Sequence, residues 1–313
     1  MSDRTAEFPR LTKLVDDARG RTRLRVAVAY PCSADSLAAA IFARDDGLIE
    51  PVLVGPASRM RTLATHAKVR LNDVLLVDTA DDPVVASRAA VALAASGEVA
   101  ALMKGSQHTD ELLTAVLARD ASLRTGRRIS HAFWFDLPSY HKPLMLTDAV
   151  VNIAPTVAEK ADILANVLQL ARRLGVALPK IAILSAIETV NPALASSLDA
   201  AILCKMADRG QIGGAAIVDG PLALDNALSA AAAETKGLAS RVAGDPDVLM
   251  VHNLDVGNAL YKSFVYAGQG ECAGLILGAR VPIILTSRAD SQRARIASCA
   301  LARMSIEEVA EVS

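Results

Sequence analysis

The sequence predicts an α/β protein built on mostly parallel sheets, and three observations support that class. Short apolar runs rich in Val, Ile and Leu recur along all 313 residues, and stretches with a helical apolar period separate most of them. The composition, 52% hydrophobic but only 3% aromatic, suits a core packed with alanine and valine. Continuous apolar strands alternating with helices imply sheets covered on both faces.

In chain order the runs fall at 24–30, 51–54, 74–77, 99–103, 131–135 and 145–153, then at 181–187, 215–218, 248–252, 275–277 and 282–286. Helical periodicity is clearest over 157–174 and 192–209. The alternation weakens at Thr125-Gly126-Arg127-Arg128. Runs 131–135 and 145–153 then follow one another around Pro138 and Pro143 without a helix between them, which predicts an antiparallel hairpin and a second domain starting near residue 129. The chain length suits two domains or one large one. A ligand is then expected in a cleft between domains, beyond the carboxyl ends of strands.

A net charge of −1 and a pI near 6.5 leave no broad basic field, which argues against nucleic acid as a main partner. No apolar stretch approaches a membrane span and the N-terminus lacks an apolar leader segment, so a cytoplasmic protein without a membrane partner is expected. Cys32, Cys204, Cys272 and Cys299 are widely separated beside apolar segments and read as buried free thiols. His66, His108, His131, His141 and His252 lack metal-ligand spacing, so no metal is expected. Neither GxSxG nor a P-loop occurs, so phosphate chemistry would rely on arginine, lysine, hydroxyl and backbone donors. Gly268-Gln269-Gly270-Glu271-Cys272-Ala273 matches a dinucleotide fingerprint, but a helical pattern precedes it and a strand follows it, the reverse of the order that motif needs.

Two segments carry candidate chemistry. The run 282–286 stops at Ser287-Arg288, where a helical pattern begins at once and Ser287 and Asp290 fit a capping box. Free N–H groups at a helix start beside Arg288 suit an anion, most naturally phosphate, although Ser287 as a simple cap and Arg288 as a solvated residue explain the same pattern. After Met103, the loop Lys104-Gly105-Ser106-Gln107-His108-Thr109 offers a cation, a permissive glycine and short donors before a helix at 110–117. An ordinary strand-to-helix loop capped by Thr109 or Asp110 fits equally well. Further on, 204–214 reads as a helix end closed by a glycine, with Lys205, Asp208 and Arg209 either lining a cleft or forming a solvated end, and Asp219 follows the next strand.

Taken together, the segments 102–112, 147–155, 185–192, 204–212, 219–229, 255–258 and 277–290 resemble the phosphate acyltransferases, the phosphate acetyl- and butyryltransferases. The likeness runs from about Arg25 to Leu301 and looks closer to the butyryl branch and to the related domain fused to enoyl-CoA hydratases. It implies two three-layer α/β domains with a central cleft, as in isocitrate and isopropylmalate dehydrogenases, with residues 1–128 plus 279–313 in one domain and 129–278 in the other. It also implies a homodimer and reversible acyl transfer between CoA and inorganic phosphate, with no required cofactor and acyl-CoA and phosphate as substrates. In that reaction a thiolate attacks an acyl phosphate in a ternary complex, so orientation and charge stabilisation carry catalysis.

Carried onto this chain, the resemblance makes Arg288 the phosphoryl clamp and Ser287 a donor to phosphate or to the developing oxyanion. The acetyl branch places an acidic base a few residues after the Ser-Arg pair, but Arg293 and Ala294 stand in that neighbourhood here, which leaves Asp290 as the nearest carboxylate. Tyr30, Ser33, Lys104, Gly105, His108 and Thr109 are expected to line the cleft from the first domain, and Asn152, Pro155, Asn191 and Asp219 from the second. Two other readings compete: a metal- and NAD-dependent dehydrogenase on the same fold, and a CoA-binding module with lost or weak catalysis that serves an enoyl-CoA hydratase.

Overall fold

The structure, a computed structural model, describes residues 8–286 and 290–307. The chain starts with α1 (Pro9–Arg19) and proceeds through β1 (Leu24–Ala29), α2 (Ala34–Asp45), β2 (Ile49–Gly55), α3 (Ala57–Ala67), β3 (Leu75–Asp78), α4 (Pro83–Ala95), β4 (Ala101–Lys104) and α5 (Thr109–Leu117). There follow β5 (Ser130–Asp136), β6 (Leu144–Thr147), α6 (Val157–Arg173), β7 (Lys180–Leu184), α7 (Ala195–Asp208), β8 (Ile217–Leu222), α8 (Leu224–Leu228), α9 (Ala230–Thr235), β9 (Val248–Met250) and α10 (Leu254–Lys262). The last elements are β10 (Glu271–Leu277), β11 (Ile283–Ile284) and α11 (Gln292–Ser305).

Contacts divide the chain into two units, one of residues 12–127 with 273–313 and the other of residues 1–11 with 128–272. In the first, strands run in the order β3-β2-β1-β4-β11-β10, parallel except for the β10/β11 pair. Interior strands here are apolar on both faces: Val26, Ala27, Val28 and Ala29 of β1 are fully buried, whereas Leu75 on the edge strand β3 is half exposed. In the second unit the order is β5-β6-β9-β7-β8, with β5/β6 antiparallel and the rest parallel. Its core gathers several of the few aromatic side chains, with Phe133 stacked on Tyr261 at 4.1 Å and Phe135 edge-on to Phe264 at 5.4 Å. Helix α6 starts at a Thr156/Glu159 capping box and buries Ile163, Leu164, Val167, Leu168 and Ala171 at helical spacing.

Each of the eleven predicted runs holds a strand, and the hairpin expected around Pro138 and Pro143 is the β5/β6 pair. Several ends differ. The run 145–153 leaves the sheet after Thr147, because the Asp148 carboxylate accepts from the backbone N–H groups of Val150, Val151 and Asn152 and curls the chain into a loop. Strand β8 extends beyond 215–218, so Asp219 lies within it rather than after it. The helix expected to begin at Ser287 begins at Gln292, with Ser291 as its N-cap accepting from the Ala294 N–H; Asp290 therefore precedes the cap and is not the third residue of a capping box. A serine nearer the helix took the capping role.

The unit boundaries fall after Leu11, Arg127 and Cys272, where the sequence reading places them after 128 and 278 with the whole N-terminus in the first domain. Buried Asp136 accounts for the first: its carboxylate accepts from the N–H groups of Arg10 (2.8 Å) and Leu11 (3.0 Å) and from Arg10 Nη1 (2.7 Å), capping α1 from more than a hundred residues away. All four cysteines are free; Cys32, Cys272 and Cys299 are buried, while Cys204 is half-buried rather than fully so. Burial pushes the Cys32 thiol up to about 11 and that of Cys204 to about 12, which keeps both protonated and inert. Among the described residues no helix is long and apolar enough to cross a membrane.

Candidate active site

The parallel strands β1 and β4 end side by side, and their loops interlock. The Gly105 N–H donates to the Ala29 carbonyl at 2.9 Å, and a Cβ at Gly105 would lie 2.3 Å from the Ala29 oxygen and 2.4 Å from that of Tyr30. Only glycine allows this approach. Its role is thus to let the backbones meet. Ser106 completes the junction: its N–H and its hydroxyl both donate to the Tyr30 carbonyl, and the same hydroxyl accepts from the Cys32 N–H at 3.1 Å. Tyr30 turns the chain at φ +48°, and the Ser33 hydroxyl accepts from the Ser36 N–H in a capping box that starts α2.

A pocket of about 280 Å³ opens over this junction, lined by Ser33, Ser36, Lys104, Ser106, Thr286 and Arg295. Lys104 is 8% exposed and its ammonium donates to the Gly105 and Gln107 carbonyls. Arg295, in the first turn of α11, reaches across to the Asp35 carbonyl in the first turn of α2 at 3.2 Å. The α11 first turn carries no acidic residue, and Asp35, the carboxylate in the lining, is exposed. Two cations, three serine hydroxyls and the positive end of α2 therefore share one small space, an arrangement that favours a multiply charged oxyanion.

The other expected residues of this unit divide. Ser33, Lys104 and Gly105 line the pocket. Tyr30 holds its junction through the backbone while its phenol donates to Asp81 at 2.6 Å and accepts from Arg59 at 2.9 Å; burial, then the Asp81 bond, raise the phenol to about 12. His108 is the exposed N-cap residue of α5, its N–H donating to Glu111, and Thr109 is the first helical residue; the cap is thus His108, not Thr109 or Asp110.

In the other unit, Asn152 is buried, donating to the Ile129 carbonyl and the Asp148 carboxylate and accepting from Arg128 Nε at 2.6 Å, so its amide organises the Asp148 loop. Pro155 is half-buried just before α6, exposed Asn191 accepts from the Ala193 N–H, and half-buried Asp219 accepts from the Gly220 N–H. Lys205 and Asp208 form an exposed pair at 3.7 Å, the solvated helix end that the spacing allowed. Ser287 and Arg288 lie outside the described residues; Thr286 on one side and partly exposed Asp290 on the other bracket them.

The family profile described as phosphate acetyl/butaryl transferase matches residues 84–303, most of the chain. The chain belongs to this family. It is 45% identical to the phosphate acetyltransferase of Rhizobium meliloti over 96% of its own length and 94% of the relative's. It is 37% identical to the phosphate butyryltransferase of Clostridium acetobutylicum, covering 93% and 96% of the two chains. Among solved structures, a branched-chain phosphotransacylase from Enterococcus faecalis superposes with a TM-score of 0.79 at 32% identity, over 90% of this chain and 99% of that one.

Within this phosphate acetyl/butyryltransferase frame, the sequence reading missed Ser36, Ser106 and Arg295. Ser106 lies inside the loop 104–109, and its role follows only from the neighbouring end of β1. Arg295 faces the pocket because α11 starts at Gln292, later than a capping box at Ser287 would place it; the register of the helix decides which side chain turns inward. Ala294, at the position neighbouring the expected acid, is buried with its N–H on the Ser291 hydroxyl at 3.0 Å, and so contributes no proton acceptor.

Proposed function

We propose that this chain transfers a short acyl group reversibly between CoA and inorganic phosphate. The observation that carries the reading is the pocket in which Lys104, Arg295 and three serine hydroxyls meet, joined through Thr286 to Ser287-Arg288. Phosphate held there has its charge matched by the two cations, with Arg288 as a third. In the direction of acyl phosphate synthesis, a phosphate oxygen forms a bond to the acyl carbon as the carbon–sulfur bond breaks. The sulfur leaves as thiolate and takes up the proton released by phosphate. Fixed donors around the oxyanion lower the barrier without a covalent enzyme intermediate.

Ser287 is assigned to donate to the oxyanion or phosphate, and Asp290 to exchange the thiol proton. CoA and phosphate are substrates here, and no cofactor is assigned. A cytoplasmic homodimer completes the reading. The test is phosphate-dependent release of free thiol from acetyl-, propionyl- and butyryl-CoA. Release is expected to need phosphate, to collapse in Arg288→Ala and to fall in Asp290→Asn. CoA binding without release from any of the three would instead favour a non-catalytic CoA-binding module, the reading that Ala294 in the place of an acid supports.

A further inference from the structure

Away from that pocket, the unit of residues 128–272 buries a charge in an unusual place. Lys160, in the first turn of α6, has a side chain only 2% exposed. Its ammonium lies 2.5 Å from Asp199 Oδ2 in α7 and 2.9 Å from His252 Nδ1, two residues beyond β9. These groups come from segments that follow β6, β7 and β9, neighbouring parallel strands, so they gather at the carboxyl ends where open α/β sheets bind ligands. A lysine taken out of water is unfavourable unless paired, and an apolar residue would fill the space at less cost.

The pairing dictates the state of the imidazole. An ammonium only donates, so Nδ1 of His252 must present its lone pair, and in the neutral ring the remaining proton sits on Nε2. Burial, then the Lys160 charge, lower the pKa of His252 against the opposing pull of Asp199, which keeps the ring neutral. Its basic nitrogen is covered by Lys160, so His252 cannot take a proton from a thiol. Nε2–H makes no hydrogen bond to a described residue, and the side chain is 32% exposed. What this cluster offers is a neutral donor of fixed orientation.

We propose that His252 donates from Nε2 to a carbonyl oxygen of the bound acyl-CoA, with Lys160 and Asp199 as positioning residues that hold the donor tautomer. The inference rests on the acyltransferase reading for its substrate. Phosphate groups call for cations, whereas a neutral N–H of fixed orientation suits an uncharged carbonyl oxygen, of which acyl-CoA carries several.

The test uses the whole protein labelled with ¹⁵N-histidine, the His252 signals being assigned by their loss in His252→Gln. The expected spectrum shows an unprotonated Nδ1 and a protonated Nε2, and addition of acetyl-CoA shifts the Nε2 signal. In kinetics, His252→Leu is expected to lower kcat/KM for acyl-CoA about tenfold, the worth of one hydrogen bond, and to leave KM for phosphate within about twofold. His252→Gln, which keeps an N–H, recovers part of the loss, and Lys160→Met mixes the tautomers. A proton on Nδ1, an Nε2 signal indifferent to acetyl-CoA, or a folded His252→Leu with unchanged kinetics would overturn the proposal. Should the native protein release no CoA with phosphate, the acyltransferase reading falls, while the Nε2 response to acetyl-CoA still decides the role of His252.

Discussion

The Ser106 hydroxyl donates to the Tyr30 carbonyl at 2.9 Å while accepting from the Cys32 N–H at 3.1 Å, and thereby fastens the loop after β4 to the end of β1. Removing it takes two hydrogen bonds from the floor of the pocket, where the Tyr30 carbonyl keeps the Ser106 and Cys32 N–H groups as donors. Ser106→Ala is expected to lower stability by about 1–2 kcal/mol in urea unfolding and to raise KM for phosphate.

Gly105 is more demanding. A methyl group there meets two carbonyl oxygens at 2.3 and 2.4 Å, both backbone, so one strand end must move. Gly105→Ala is expected to cost about 1–3 kcal/mol in thermal unfolding and to abolish thiol release, since the pocket is built on that junction.

Arg295 and Lys104 should report directly on phosphate. Arg295→Met is expected to raise KM for phosphate about tenfold or more, equivalent to about 1.4 kcal/mol, with a smaller effect on KM for acyl-CoA. Equal changes in both constants would remove Arg295 from the phosphate site.

Asp136 links the start of α1 to the end of β5 through three hydrogen bonds to one buried carboxylate. Asp136→Ala strands the helix N–H groups and the Arg10 guanidinium, and is expected to cost about 3–5 kcal/mol. Hydrogen exchange should show α1 losing protection before the strands of either unit.

Asp245 supplies a pH-dependent contribution. Burial raises its carboxyl, but hydrogen bonds from Lys142, Lys180 and His141 outweigh burial and hold it well below the usual carboxylate range. A folded-state pKa below the unfolded one stabilises the protein above about pH 4 and stops doing so as pH falls through the folded value. Asp245→Asn should therefore lower the urea midpoint at pH 7, with the difference from the native protein shrinking below about pH 4.

The sequence by itself determined the class of fold and the place of every strand, because a strand covered on both faces must be apolar along its length; β1, β2 and β4 read as such runs without any help from their neighbours. It also determined the family, through segments spread over most of the chain, and marked Lys104 and Gly105 as residues of interest. Where elements end was another matter. Thr147 closes β6 because the Asp148 carboxylate finds three amides, and α11 starts at Gln292 because the Ser291 hydroxyl caps it; each is a choice among local hydrogen bonds that neighbouring structure settles. The tertiary structure alone decided which distant groups meet: Ser106 with Tyr30, Arg295 with the start of α2, Asp136 with α1, Lys160 with Asp199 and His252. Such pairs leave no period in the sequence, since hydrogen bonds and charge pairs depend on a few ångströms in space and not on spacing along the chain.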